Sequence, residues 1–335
     1  MTLRIAFITD AWHPQINGVV TTIANTCSTL EQSGHIIKMI TPDQFRTIPC
    51  PTYPSIRLAL NCYKKLSRQL DEFKPERIHI ATEGPLGIAG RKYCLKHNLS
   101  FTTSYHTLFA EYVNLRFKIP VSIGYRFLKW FHQPAKKIMV ATSSVESDLV
   151  ARGFKNQIVR WSRGVNTEFY YPRDKNYLPH PRPISMFVGR VAVEKNLEAF
   201  LSLDVPGTKV VVGDGPQLNE LKARFPEAVF VGFKSGEPLA EHLAAADVFV
   251  FPSRTDTFGI VMLDALASGI PVAAYPVTGP VDVITNNKIG KLDEDLKTAM
   301  NEALQLNPHD CRNHALDYSW SRCTDQFYSN LVPAI

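Results

Sequence analysis

The sequence has six cysteines in 335 residues (Cys27, Cys50, Cys62, Cys94, Cys311 and Cys323), and none forms a CxxC pair. Without such pairs neither a disulfide framework nor a zinc site is expected, and a reducing compartment fits. No HxxxH or paired His/Cys spacing occurs, so no metal is expected. No GxGxxG turn follows the first strand-like run, which leaves an NAD-type cofactor without support. A charged segment ahead of an apolar one is also missing. The chain opens Met1-Thr2-Leu3-Arg4 and runs into Ile5-Ala6-Phe7-Ile8, so no cleaved leader is expected. The window 259–277 is apolar, but Asp264, Gly269 and Pro271 interrupt it. It reads as a helix, a turn and a buried strand rather than a membrane span. There is no repeat, heptad run or low-complexity tract.

What is present is an ordinary globular composition, 45% hydrophobic and 20% charged, long enough for two domains. The formal charge of +6 hides an asymmetry. Residues 1–165 carry 22 Lys and Arg against 10 Asp and Glu, whereas the remainder carries 15 against 21. Such a basic half points to an anionic partner for that half: a nucleic acid, an anionic membrane or a phosphorylated substrate. Charge alone does not choose among them.

Short apolar runs alternate with helical stretches along both halves. In the first half, strands are expected at 3–9, 36–41, 77–81, 101–104 and 137–141, with helices at 18–33, 86–98 and 120–131. In the second, strands at 184–188, 209–212, 229–231, 248–250 and 272–275 accompany helices at 197–203 and 296–304. This rhythm predicts parallel sheets covered by helices on both faces, built from right-handed βαβ units. The boundary is expected within 166–182, where prolines cluster and the charge changes sign.

Ligands of open α/β sheets lie beyond the carboxyl ends of the strands, so the polar segments there hold the candidates. Gly18, at a helix start after the first strand, serves packing or offers backbone N–H groups to an anion. Arg190 and Lys195, after strand 184–188, suit a diphosphate as fork and point charge, unless they are merely solvated. Gly213-Asp214-Gly215-Pro216 reads as a tight strand-to-helix turn. In Asp256 to Asp264 the N–H groups of Phe258, Gly259 and Ile260 can meet ligand oxygens. On one helix the two carboxylates would stand ~12 Å apart along the axis, suiting two ends of one long ligand. His106, at the end of strand 101–104, is a candidate acid, base or hydrogen-bond donor, and the other histidines show no comparable placement. Asp293-Glu294-Asp295 imitates a metal-binding DxD but precedes a helix, where acidic residues belong. Finally, 108–137 is basic and aromatic, with Arg116, Phe117, Arg126, Lys129, Lys136 and Lys137 among its members. Phe127, Trp130 and Phe131 follow an i, i+3, i+4 spacing beside cations, which suits either an anionic membrane interface or a core helix with a basic rim.

Together these residues resemble the retaining group 1 glycosyltransferases of GT-B architecture. The matching runs are Asn17-Gly18-Val19, Ser104-Tyr105-His106-Thr107, Gly164-Val165, Gly189-Arg190 with Lys195, Gly213 to Pro216, Val231-Gly232-Phe233 and the run from Phe251 to Val272. A narrower likeness, to the sulfoquinovosyl- and glucuronosyl-diacylglycerol synthases and their mannosyltransferase relatives, rests on Pro49-Cys50-Pro51-Thr52-Tyr53, Phe131 to Ala135 and Trp161 to Asn166. The resemblance implies two Rossmann-like doubly wound domains facing a central cleft. Residues 1–165 would bind the acceptor, 166–317 the nucleotide-sugar, and a helix at 318–335 would cross back to the first domain.

It further implies that Arg190 and Lys195 bind the donor diphosphate with Gly18 nearby, and that His106 touches the donor sugar. Asp256 would hold sugar hydroxyls and Asp264 the nucleotide ribose, each standing where the family has Glu. Two cations and helix-start N–H groups can stabilise a departing nucleoside diphosphate, so no metal or other cofactor is implied. The acceptor implied is a membrane lipid, with 108–137 on an anionic surface and the enzyme cytoplasmic, peripheral on the inner face of the cell membrane. A glycan or soluble acceptor is the alternative. A non-catalytic sugar-nucleotide-binding module is a reading from another class. No nucleic-acid partner is expected, because the basic residues lie beside aromatics on a helix rather than on a strand platform.

Overall fold

The computed structural model describes residues 2–15, 17–50 and 53–335, without the side chains of 53–55 and 115–117. Pro51 and Thr52 of the narrower family run, and the side chains of Arg116 and Phe117, therefore lie outside the described residues. The chain divides into two compact units, Met1–Arg163 with Trp320–Ile335, and Gly164–Ser319. The sequence reading put these divisions after residues 165 and 317.

The first unit holds β1 (Arg4–Ile8), β2 (Ile36–Ile40), β3 (Thr47–Cys50), β4 (Tyr53–Ala59), β5 (Arg77–Ile80), β6 (Thr102–Tyr105), β7 (Lys137–Val140) and β8 (Gln157–Arg160). Six of them form a parallel sheet in the order β2-β1-β5-β6-β7-β8. Ile5, Ala6, Phe7 and Ile8 are all fully buried, because helices cover the central strand on both sides. Ile23, Cys27 and Leu30 of helix Gly18–Gln32, with Phe327 of the terminal helix Trp320–Asn330, pack on one face. Leu66 and Leu70 of helix Tyr63–Phe73, with Leu86 and Tyr93 of helix Pro85–Lys96, pack on the other. The antiparallel β3–β4 ribbon was missed from sequence, since Pro49 argues against a strand. A two-stranded ribbon has edges throughout, and an edge tolerates proline.

The second unit holds β9 (Ile184–Val188), β10 (Thr208–Val212), β11 (Val229–Gly232), β12 (Val248–Phe251), β13 (Val272–Ala274) and β14 (Gly290–Leu292). They form one parallel sheet in the order β11-β10-β9-β12-β13-β14. Val210, Val211, Val248, Val250 and Ala273 are fully buried within it. The strand order reverses direction between β9 and β12 here, and between β1 and β5 in the first unit. At such a reversal the loops leaving two adjacent strands diverge to opposite faces and open a crevice at their carboxyl ends.

Candidate functional site

In the second unit the crevice at the strand-order reversal lies between the loops leaving β9 and β12. Arg190, half-buried, and Lys195 lie on the first loop, and Asp256 lies on the second. Lys195 Nζ stands 2.6 and 2.7 Å from the two Asp256 carboxylate oxygens. Both side chains are more than four-fifths buried, at 18% and 16% exposure. Their loops are zipped together. Asn196 Nδ2 donates to Pro252 O at 3.1 Å, and Ser253 Oγ and Thr255 Oγ1 donate to Glu194 O at 3.1 and 3.4 Å. So the structure brings the expected phosphate lysine and the expected sugar carboxylate into one ion pair, which the sequence reading had kept as separate roles.

Two glycine turns hold these loops from behind. A Cβ on Gly213 would stand 1.8 Å from Gly189 O, and one on Gly215 would stand 2.3 Å from Val191 O. Gly189 N donates to Val212 O at 3.0 Å and Val191 N to Asp214 O at 2.9 Å. The Gly213–Pro216 turn therefore braces the Arg190 loop. Likewise, a Cβ on Gly279 would meet Asp256 O at 2.9 Å.

The helix after this loop begins only at Ile260 and runs to Ala267, capped by Gly259 with φ +81°. Asp256 is thus in a loop, and its expected helical alignment with Asp264 is corrected. Phe258 is buried at 5% and Gly259 precedes the helix, so the first-turn donors start at Ile260. Asp264 lies in the second turn, largely buried, and burial pushes its carboxyl up to about 8. The half-buried Tyr170 phenol is itself pushed upward, first by burial and then by Asp264. A carboxyl held neutral at physiological pH both donates and accepts hydrogen bonds, which suits a pair of vicinal hydroxyls. Asp295, from the acidic triplet, caps helix Leu296–Ala303 by accepting from Lys297 N at 3.1 Å, as its helix-start reading required.

In the first unit, Gly18 opens its helix, but Asn17 Oδ1 already accepts from Val19 N and Val20 N at 3.0 Å each. The expectation of a turn of open donors there is corrected: a neighbouring side chain caps two of them. His106 follows β6 and is 7% exposed. Its Nε2 lies 2.9 Å from Ser104 Oγ, and its Nδ1 accepts from Arg163 Nη2 at 3.0 Å. Burial, then the Arg163 charge, hold the imidazole well below the usual histidine range, so the ring is neutral. Both ring nitrogens are thus engaged by side chains of the first unit.

The other histidines are not all bland, contrary to expectation. His79 is fully buried between Thr102 Oγ1 (2.9 Å) and Ser104 Oγ (3.0 Å), and burial lowers its pKa to about 3. His132, also fully buried, sits 2.8 Å from Thr103 Oγ1 and 3.3 Å from Glu83.

Sequence reasoning also missed Asp10, which occupies the reversal point of the first sheet. Its carboxylate accepts from Leu86 N (2.9 Å), Gly87 N (3.2 Å) and Thr82 Oγ1 (2.9 Å) at the start of helix Pro85–Lys96. Burial nonetheless raises its pKa to about 6. The anion position that a helix start offers is therefore filled by the chain's own side chain. A β1-terminal Asp followed far downstream by a Thr-Glu-Gly-Pro turn was the available signal. A Cβ on Gly84 would come within 2.4 Å of Asp10 Cγ.

Within 108–137 the expected aromatic face divides in two. Helix Val121–His132 turns Tyr125, Leu128 and Phe131 into the core. Ile123 (52% exposed) and Trp130 (44%) face outward, with Phe127 half-buried between them. Arg126 and Lys129 are exposed beside that stripe, and Arg91 stacks on Trp130 with 4.1 Å to the ring centroid. Among the described residues no helix is long and apolar enough to cross a membrane.

Residues 16–169 match the family Glycosyltransferase Family 4, and residues 182–306 match Glycosyl transferases group 1. A GDP-mannose-dependent alpha-mannosyltransferase of Mycobacterium tuberculosis is 29% identical over 318 residues, covering 87% of this chain and 83% of that protein. The sulfoquinovosyl transferase of Arabidopsis thaliana is also 29% identical over 318 residues, covering 86% of this chain and 62% of its own length. An alpha-monoglucosyldiacylglycerol synthase of Streptococcus pneumoniae is 26% identical, covering 94% of this chain and 81% of that protein. Among solved structures, a sucrose-phosphate synthase of Thermosynechococcus elongatus superimposes with a TM-score of 0.79 over 98% of both chains at 20% identity.

Proposed function

Because the chain belongs to the group 1 glycosyltransferases, we propose that it moves a hexose-type sugar from a nucleotide-sugar to a membrane lipid, diacylglycerol, with retained anomeric configuration and without a metal. In this reading Arg190 and Lys195 hold the diphosphate, Asp256 the sugar hydroxyls, and Asp264 with the Ile260 helix start the nucleoside. Gly18 approaches the diphosphate and His106 the sugar. The second unit takes the donor and the first the acceptor.

The bond from the anomeric carbon to the diphosphate breaks with its electron pair on the leaving oxygen. The acceptor hydroxyl attacks from the same face and passes its proton to that oxygen. Positive side chains stabilise the charge as it develops, so no separate carboxylate base is needed.

The observation that carries this reading is the Lys195–Asp256 pair at the reversal point of the second sheet. There a cation suited to phosphate and a carboxylate suited to hydroxyls stand next to each other. Two features favour a lipid acceptor: the outward stripe of Ile123, Phe127 and Trp130 flanked by Arg126 and Lys129, and the likeness to a diacylglycerol-glycosylating enzyme. Such a stripe beside cations suits the interface of an anionic membrane, and we place the enzyme in the cytoplasm at the inner face of the cell membrane.

The test is transfer of radiolabelled sugar from UDP-, GDP- and ADP-linked donors to diacylglycerol liposomes, with and without EDTA. A lipid product that survives chelation is expected, and it should vanish in Arg190→Ala/Lys195→Ala. The alternative is an alpha-mannosyltransferase acting on a glycan or soluble acceptor, which the GDP-mannose-dependent relative favours. In that case the protein ignores anionic liposomes in flotation, and label appears in a water-soluble product.

A further inference from the structure

Arg163 is an unusual guanidinium. It is 5% exposed, yet its hydrogen bonds go to two backbone carbonyls, Trp161 O (2.6 Å) and Ser162 O (2.9 Å), and to one imidazole, His106 Nδ1 (3.0 Å). A buried charge without a carboxylate costs stability, and a neutral apolar side chain would avoid that cost. Burial lowers its pKa only to about 10, so it stays a cation at physiological pH.

The chemistry of the pair has one solution. Guanidinium has donors and no acceptor, so His106 Nδ1 must carry the lone pair. A neutral ring then has its proton on Nε2, which faces Ser104 Oγ at 2.9 Å. Ser104 Oγ also lies 3.0 Å from His79 Nε2, so the two imidazoles hang on one hydroxyl. The charges acting on the ring both lower its pKa further, Arg163 first and then His79. The Trp161 indole meets the His106 ring edge-on at 5.3 Å between centroids, and Cys323 lies beside Arg163 with its thiol pushed up to about 11 by burial.

We infer that Arg163 is the positioning residue of His106, fixing its imidazole as the Nε2–H tautomer and withdrawing it from proton transfer. The inference rests on the transferase reading only in supposing that His106 meets the donor sugar. On that reading His106 is a fixed dipole, and the proton of the acceptor goes elsewhere.

The test uses the full chain labelled with 15N-histidine, with His106 assigned by His106→Gln. In the wild type Nδ1 stays unprotonated and Nε2 protonated from pH 5 to 8. In Arg163→Met the Trp161 and Ser162 carbonyls lose their donor, and His106 Nδ1 becomes protonated to meet them. Arg163→Lys restores the wild-type spectrum. Ser104→Ala, a small change that leaves the arginine in place, also keeps Nδ1 unprotonated. With the substrates of the proposed reaction, Arg163→Met lowers kcat on the order of tenfold with donor KM unchanged, and Arg163→Lys recovers it. A protonated Nδ1 in the wild type at pH 7, an unchanged Nδ1 in Arg163→Met, or a swap in Ser104→Ala overturns the inference. The spectra need no substrate, so absent turnover in the wild type would sink the transferase reading alone.

Discussion

Replacing Asp256 by Asn removes one charge at constant size from the ion pair at the centre of the proposed donor site. The carboxylate grips Lys195 Nζ through both oxygens, at 2.6 and 2.7 Å, with less than a fifth of either side chain exposed. At an effective dielectric of about 20 and these distances the attraction is ~6 kcal/mol, of which desolvation takes back the larger part. A diphosphate therefore meets a lysine already engaged.

Freeing that lysine is worth ~1–2 kcal/mol, so Asp256→Asn should bind the free nucleoside diphosphate roughly 5–30-fold more tightly. The same change takes a charged acceptor from the sugar hydroxyls, worth ~1.5–3 kcal/mol. It should lower kcat/KM by about 10–150-fold. Calorimetry with UDP, GDP and ADP, followed by turnover with the donor that binds, measures both effects. If Asp256→Asn binds the diphosphate no better than wild type, the lysine is not being held back by its partner and the site is misassigned.

Three more outcomes follow from particular residues. Asp264 holds a proton up to about pH 8 when folded but only to about 4 when unfolded, so its contribution to stability falls as pH rises through that window. At ~1.4 kcal/mol per unit, urea melts of wild type should gain on Asp264→Asn as pH drops from 7.5 to 5.5, and parallel curves would refute the neutral carboxyl. Ile123→Ser/Trp130→Ser should lose flotation with anionic vesicles while its nucleotide binding stays intact, each side chain being worth ~1.5–3 kcal/mol of buried apolar surface. Retained flotation would remove the stripe from the membrane reading. Gly213→Ala forces a Cβ to within 1.8 Å of Gly189 O, so it should cost ~1–3 kcal/mol in thermal melts and weaken donor binding through the Arg190 loop. Unchanged affinity would mean that the loop does not hold the donor.

The chemistry of single positions was readable from the chain alone because it depends on neighbours within a few residues. Runs such as Ile184–Val188 announce a strand buried on both faces, and Asp295 before Leu296 announces a helix cap. The parallel sheets covered by helices followed from the same local patterns, whereas the run from Phe251 to Val272 and the facing two-domain architecture came from a resemblance to a family.

Which of those residues meet was decided only by tertiary structure. Lys195 and Asp256 are 61 residues apart and pair because β12 crosses to lie beside β9. Arg163 reaches His106 across 57 residues, and that contact alone settles which nitrogen carries the proton. The sequence likewise holds Phe131 and Trp130 side by side, but only the packing of their helix sends one ring into the core and the other toward solvent. Periodicity is a property of neighbours along the chain, whereas ionisation, tautomer and exposure belong to neighbours in space.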